Sequence, residues 1–186
     1  AWLADRSRTE PADDIAIAVL PLEDLGPATD TDRFVAALHD EIIGRLARLS
    51  ALRVSPRTSV LGITSEERSV SEIASRLGVD AVLEGSVRRA AGRITVSVRL
   101  FDDDESQLWA ESFEREVSVE NLLAIQNEVA ERIADALRVE LSASERRVLA
   151  RLPTGSLEAY NLYLLGRSRI YQSTPEDLTR AIELLR

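Results

Sequence analysis

The chain has 186 residues, 45% of them hydrophobic and 30% charged, with a formal net charge of -9 and a pI near 4.8. That balance supports one domain plus an appendage with a core of useful size. It opposes binding to a phosphate backbone, whose affinity comes from clustered cations, so nucleic acid is not an expected partner. The absence of cysteine excludes disulfides, thiol nucleophiles and cysteine metal sites. All 23 basic residues are arginine, which reads as base composition of the gene before it reads as chemistry.

The chain starts at Ala1 and has no methionine, so a fragment or a processed chain is expected. No run of 18 apolar residues occurs, so no segment reads as a membrane span. Ala1-Trp2-Leu3-Ala4 followed by Asp5-Arg6-Ser7-Arg8 nevertheless resembles the exit of one, with Trp2 and Leu3 at the membrane interface. The competing account is a chain end with an incidental Trp. Residues 1–14, polar after Ala4 and containing Pro11, are expected to form a membrane-proximal linker.

Ile15 to Leu20 is a continuous apolar run closed by Pro21, expected as a short strand buried on both faces. Asp24 to Asp32 is expected as a loop. A helix should follow over 32–49, since Phe34, Leu38, Ile42, Leu46 and Leu49 recur at helical spacing. Arg53-Val54-Ser55 begins a second strand, limited by Pro56. Gly62 and the polar run to Arg68 read as a loop. Ser69 and Glu72 have capping-box spacing, and Gly78 ends the short helix they open.

Residues 80–100 carry the clearest pattern. Ile94, Val96, Val98 and Leu100 alternate with Thr95, Ser97 and Arg99, the period of a half-buried strand. Gly92 supplies the reversal, so a β-hairpin is expected. Gly85, inside the first strand, is expected to face a covering helix. Leu108 to Phe113 reads as one more strand, with Trp109 and Phe113 sharing a face with Glu111. A long helix over 119–141 has Leu122, Ile125, Val129, Ile133 and Leu137 as its stripe and Ser118 as N-cap. Beyond it, Ser142 and Glu145 can cap a short helix ended by Pro153. Helices over 156–171 and from Pro175 would make an αα-hairpin.

This order predicts an α/β (α+β) sandwich: a mixed β-sheet of about five strands covered by helices, with a C-terminal αα-hairpin. The expected division is a linker over 1–14, the α/β domain over 15–141, and a helical extension over 142–186.

Several short words support a family resemblance. They are Ile15-Ala-Ile-Ala-Val-Leu-Pro-Leu22, Leu52-Arg-Val54 with Arg57-Thr58-Ser59, Glu72-Ile-Ala74 with Leu77-Gly-Val79, and Val82-Leu-Glu-Gly-Ser-Val-Arg88. Leu108-Trp-Ala-Glu111, Ile125-Gln126 and Pro153-Thr154 with Glu158-Ala-Tyr160 complete the series. In this order they resemble the TolB amino-terminal-like domain that often precedes tetratricopeptide repeats in bacterial proteins. Leu22, Ala37 and Asp103-Asp104-Glu105 depart from the family's usual Phe, Gly and Gly-containing turn. Gly166 lies further from Ala181 than the usual repeat allows. The resemblance implies a non-enzymatic adaptor outside the cytoplasmic membrane, following a single transmembrane helix, with no shared catalytic motif and no cofactor. Its partners would be proteins, possibly assembled in a multi-subunit membrane complex.

The candidate chemistry is sparse. His39 is the single histidine and reads as a surface or half-buried helix residue, with no nucleophile or orienting acid beside it. No phosphate-cradling glycine cluster occurs. Asp102 to Glu105 is the best cation candidate, weighed against a solvated turn. Tyr160, Tyr163 and Tyr171 read either as an interface or as packing between helices. Arg88, Arg89, Arg93 and Arg99 concentrate on the hairpin, where an acidic partner or plain solvation can account for them. The candidate partner-binding residues are thus Arg88, Arg89, Tyr160, Tyr163 and Tyr171. The expected function is docking to a partner protein. The alternative is a ligand-sensing input domain with its pocket near Gly26 or Ser55 to Gly62.

Overall fold

The computed structural model describes residues 14–26, 31–63, 69–149, 156, 158–160, 162, 163, 166 and 175–184. Strand β1 (Ile15–Val19) and the two-residue β2 (Glu23–Asp24) precede helix α1 (Thr31–Leu46). Then come β3 (Leu52–Val54), α2 (Arg57–Val60), α3 (Val70–Leu77), β4 (Ala81–Ala90), β5 (Arg93–Asp102) and β6 (Gln107–Glu116). Helices α4 (Val119–Ala136), α5 (Ala143–Leu149) and α6 (Pro175–Leu184) complete the described elements.

The sheet runs β3-β1-β4-β5-β6, with β2 added alongside β4. β1 is parallel to both β3 and β4, and β4, β5 and β6 are antiparallel. This is the expected mixed sheet under helices. β1 is buried on both faces because its neighbours lie on both sides and helices cover both surfaces. Ile17 and Val19 join Leu38, Ile42, Leu83, Val96, Leu122 and Ile133 in the larger core under α1 and α4. Ala16, Ala18 and Leu20 join Val60, Ile63, Ile73, Ala74 and Val82 in a smaller core under α2 and α3. Each fully buried Leu, Ile or Val contributes about 1.5–3 kcal/mol, so the α1–α4 side dominates the stability.

The β4–β5 hairpin has the expected register, Gly85 opposite Val98 and Ala90 opposite Arg93. Its loop is Ala91-Gly92, with φ of 50° and 74°. Positive φ at both positions is the two-residue turn whose twist matches the strands. At α3 the capping box between Ser69 and Glu72 forms, and Gly78 closes the helix at φ 63° in the left-handed region.

Some boundaries differ from expectation. Glu23–Asp24 pairs with Ser86–Val87, a strand where none was expected, Asp24 being the first residue of the expected loop. The α2 turn also replaces coil, stacked on Pro56 at its N-cap. Helix α1 stops at Leu46 rather than 49, although Leu49 still enters the core. Helix α4 stops at Ala136 rather than 141, because Arg138 takes φ 58°. The Arg138 amide donates to Asp135 O at 3.1 Å and the Val139 amide to Ala134 O at 2.8 Å, a helix stop usually built with glycine.

Gly85 lies on the same face of β4 as Leu83 and Val87, which enter the core under α1 and α4, and the atoms nearest to it come from β5 and Leu22. A Cβ there would meet Ser97 O at 2.5 Å, Val98 Cγ1 at 3.0 Å and Leu22 Cδ2 at 3.2 Å. Glycine is required by the neighbouring strand's backbone and by the segment between β1 and β2.

Candidate functional site

The three ten-residue strands extend beyond the helices that cover β1. One side chain in two on β4, β5 and β6 points away from the α1–α4 core. Register places these residues in rows: Ser86, Ser97 and Ser112; Arg88, Thr95 and Glu114; Glu84, Arg99 and Ala110. Arg88, Arg99, Ala110, Ser112 and Glu114 are exposed, and Ser86, Thr95 and Ser97 are partly so. The centre of this face is small and polar, with the Ser97 and Ser112 hydroxyls 2.9 Å apart. Leu108, an exposed leucine, lies at its end.

The hairpin arginines do not act as one patch. Arg99 Nη2 pairs with the buried Glu84 at 2.9 Å, and Arg93 Nε pairs with Glu114 at 2.8 Å. Arg88 is exposed on the same face and has no ion pair among the described residues. Arg89 follows it in sequence and so lies on the opposite face, its guanidinium 4.8 Å from the Phe34 ring centre over α1. Alternation along a strand separates the two candidate contact residues.

A second cluster lies at the carboxyl ends of β1 and β3. His39 is buried, not at or near the surface as expected, and its Nε2 lies 2.9 Å from Val19 O. Burial is the main cause that holds its pKa below the usual histidine value, and Arg57 adds to it. The adjacent Asp40 is also buried and takes Arg57 Nε at 2.7 Å. This pair ties the start of α2 to the middle of α1. It places a carboxylate, a guanidinium and an imidazole where open parallel sheets hold ligands.

The third constellation joins α5 and the turn at Tyr160 to α1 and α4. Arg45 Nε donates to Gln126 Oε1 at 2.8 Å, and its Nη1 donates to Asn127 Oδ1 at 2.5 Å and to Leu149 O at 3.1 Å. Gln126 Nε2 donates to the Tyr160 hydroxyl at 2.9 Å. Tyr160 is fully buried and stacks on Tyr163, whose hydroxyl donates to Glu41 at 3.1 Å. Burial raises the Tyr160 pKa to about 12. Glu145, the N3 residue of the α5 capping box with Ser142, also accepts from the Ser50 amide at 2.8 Å. The Ser142 hydroxyl, with Ser50 behind it, lowers the Glu145 pKa to about 2. Tyr160 therefore packs between helices and is not a surface residue, while Tyr163 is partly buried beside it.

Asp102 to Glu105 is a tight turn in which Asp102 Oδ1 accepts from the amides of Asp104 and Ser106. Among the described residues no group of three acidic or histidine side chains is placed to hold a metal ion. Trp2, Leu3 and Tyr171 lie outside the described residues, as do most of residues 1–14 and much of the expected 156–171 helix. No described helix is long and apolar enough to cross a membrane. Of the buried polar residues Asp40, Arg45 and Gln126, only Gln126 stands in a family word of the sequence, Ile125-Gln126, and none carries a motif that marks it as buried. Arg45 and Gln126 each adjoin a stripe residue, Leu46 and Ile125, whereas Asp40 lies between Leu38 and Ile42 and adjoins neither.

Residues 13–135 match the family model described as HilA/YgeH-like transcriptional regulator, second domain. A curated relative, the "Putative adenylate cyclase 3" of Rhizobium meliloti (strain 1021), is 35% identical over 158 residues. The match covers 84% of this chain but only 27% of that protein, so the chain spans about a quarter of its relative. Among solved structures, TolB from Acinetobacter baumannii matches with a TM-score of 0.51 at 19% identity. That match covers 68% of this chain and 29% of TolB. The fold is TolB-like.

Proposed function

The chain belongs to the HilA/YgeH-like transcriptional regulator second-domain family, and from that premise we propose that it is a non-enzymatic protein-interaction domain within a larger regulatory protein. It docks a partner protein, or a larger membrane complex, beside whatever output module the rest of the protein carries. The observation that carries this reading is the open outer face of β4, β5 and β6, polar and small at Ser86, Ser97 and Ser112, with Arg88 available at its margin. The state of His39 supports a non-enzymatic role: it is buried, and its Nε2 lies within hydrogen-bond distance of the Val19 carbonyl oxygen. An acidic chain with Arg88 as its available cation on this face suits a partner carrying a matching carboxylate better than nucleic acid.

The location follows as part of the same proposal. Trp2 and Leu3, ahead of a polar stretch, support tethering through an upstream membrane helix, with this domain on the extracytoplasmic side. The helical extension over 142–186 would begin a tetratricopeptide-like array, continuing the domain over 15–141. Helical turns at 158–160, 162, 163 and 166, and α6, support it.

The test is capture of partners from membranes with the 186-residue chain and with Arg88→Glu. A partner recovered by the native chain and lost with the variant, at unchanged melting temperature, is the expected result. No recovery under mild detergent, or recovery indifferent to Arg88, contradicts the reading. The Asp40–Arg57–His39 cluster favours a second reading, a ligand-sensing input domain. Its test is a thermal-shift screen of anionic metabolites, in which no stabilisation by any of them counts against it.

A further inference from the structure

The two edges of the sheet are built differently. On one side the last strand is β3, three residues long and followed by Pro56. On the other it is β6, ten residues long, and no described strand pairs with its outer side. Most proteins shorten, bend or cover such an edge, because its free N–H and C=O groups are a template for another strand.

Which groups are free follows from the hairpin. The two-residue turn makes Ala90 and Arg93 a hydrogen-bonded pair, so Arg93, Thr95, Ser97 and Arg99 bond to β4. Ile94, Val96, Val98 and Leu100 then bond to Arg115, Phe113, Glu111 and Trp109. The Val117 amide bonding to Gly92 O at 2.9 Å continues this alternation. Ala110, Ser112 and Glu114 therefore turn their amides and carbonyls outward.

We propose that β6 pairs antiparallel with β6 of a second copy of this chain, about a two-fold axis through Phe113, making one continuous sheet. The charges on the edge choose both occupant and register. About Phe113, Glu111 faces Arg115 of the partner subunit, and the relation repeats through the axis. These are non-hydrogen-bonded pairs, the closer kind, with side chains about 4.5–5.5 Å apart at Cβ. Within each chain Glu111 already meets Arg132 at 3.4 Å, and Arg115 meets Glu128 at 3.5 Å. Pairing joins them into two alternating rows, Arg132–Glu111–Arg115–Glu128, each crossing the interface. Centring on Glu111, Glu114 or Arg115 instead sets like charges opposite each other at the axis, which is destabilising. The outer serine face stays open in such a dimer.

This names one partner for the interaction reading and rests on that reading, but the two fail separately. The experiment is sedimentation velocity of the 186-residue chain at physiological ionic strength, where a net charge of -9 per chain is screened. The expected mass is twice 20.6 kDa. Ser112→Pro removes an outward N–H and no backbone bond within the chain, and of side-chain contacts it loses the exposed Ser97–Ser112 hydroxyl bond, so it should give a folded monomer. Arg115→Glu should do the same, and adding Glu111→Arg to it should restore the dimer. Because the chain has no cysteine, an equimolar mixture of Ser112→Cys and Glu114→Cys chains should cross-link in high yield, their Cα atoms lying about 5.5 Å apart across the axis. Ser112→Cys alone should cross-link poorly. A monomer at all concentrations, a dimer indifferent to Ser112→Pro, or preferential cross-linking of Ser112→Cys with itself overturns the proposal. A monomer that still captures its partner through the Arg88 face overturns this inference alone.

Discussion

Gln126 Nε2 donates to the Tyr160 hydroxyl at 2.9 Å, and both residues are fully buried. The bond joins α4 to a helical turn beyond α5, and the Gln126 carbonyl takes Arg45 from α1. The turn at Tyr160 is thereby held against α4 and, through Gln126, α1. A buried polar group left without its partner costs about 1–3 kcal/mol. Tyr160→Phe should destabilise the chain by about that amount, read by urea denaturation. Wild-type stability in the variant would mean the hydroxyl bond does not form.

The same burial sets an alkaline limit. The Tyr160 pKa rises from the ordinary 10 to about 12 in the folded chain. Its contribution is present below pH 10 and lost as pH rises from 10 through about 12. Absorbance titration at the phenolate band should show a tyrosine step delayed toward 12 that returns to about 10 on unfolding, and that is missing in Tyr160→Phe.

Glu145 sets the opposite limit. Its pKa is lowered to about 2 by the Ser142 hydroxyl and the Ser50 amide. Stability from these contacts is present above the ordinary carboxyl pKa and is lost as pH falls from about 4.5 toward 2. The melting temperature of Glu145→Gln should lie below wild type at pH 7, with the gap closing below pH 4. His39 acts in the same direction nearer neutrality: its lowered pKa means stability is present above 6.5 and declines as pH falls below it. A pH-stability profile with no decline below 6.5 would show that His39 protonates freely in the fold.

Backbone positions give two variants of opposite sign. Arg138 sits at φ 58° where glycine usually ends a helix. A side chain costs roughly 1–2 kcal/mol in the left-handed region, and glycine's extra chain entropy offsets part of that, so Arg138→Gly should stabilise by about 0.5–1 kcal/mol. Gly85→Ala places a methyl 2.5 Å from Ser97 O and should destabilise by about 1–3 kcal/mol. Thermal denaturation of the two variants checks both signs.

The parts of the fold that were legible from sequence carry a period or a chemical signature. The alternation from Ile94 to Leu100, the Ser69–Glu72 box and Gly78 each depend on neighbours in sequence. What was not legible depends on distant neighbours. β2 is a polar dipeptide, Glu23–Asp24, that becomes a strand only because β4 runs beside it. The apolar stripe of α1 was read correctly, but His39, Asp40 and Arg45 are buried as well. They are buried because Val19 O, Arg57 and Gln126 supply their partners from other elements. The Arg88 and Arg89 pair reads as one patch in sequence, and only alternation across a real sheet, with Phe34 under Arg89, separates them. The end of α4 is not legible because Arg138, at its left-handed stop, gives no glycine signal.

The proposed docking surface is the outer face of β4, β5 and β6. The most direct measurement is hydrogen exchange of the 186-residue chain with and without its captured partner, followed peptide by peptide. Added protection over 84–88, 95–99 and 110–114, weakened by Arg88→Glu, is the predicted result. Protection confined to α1 and α4, or none on these strands in a complex that forms, would contradict it.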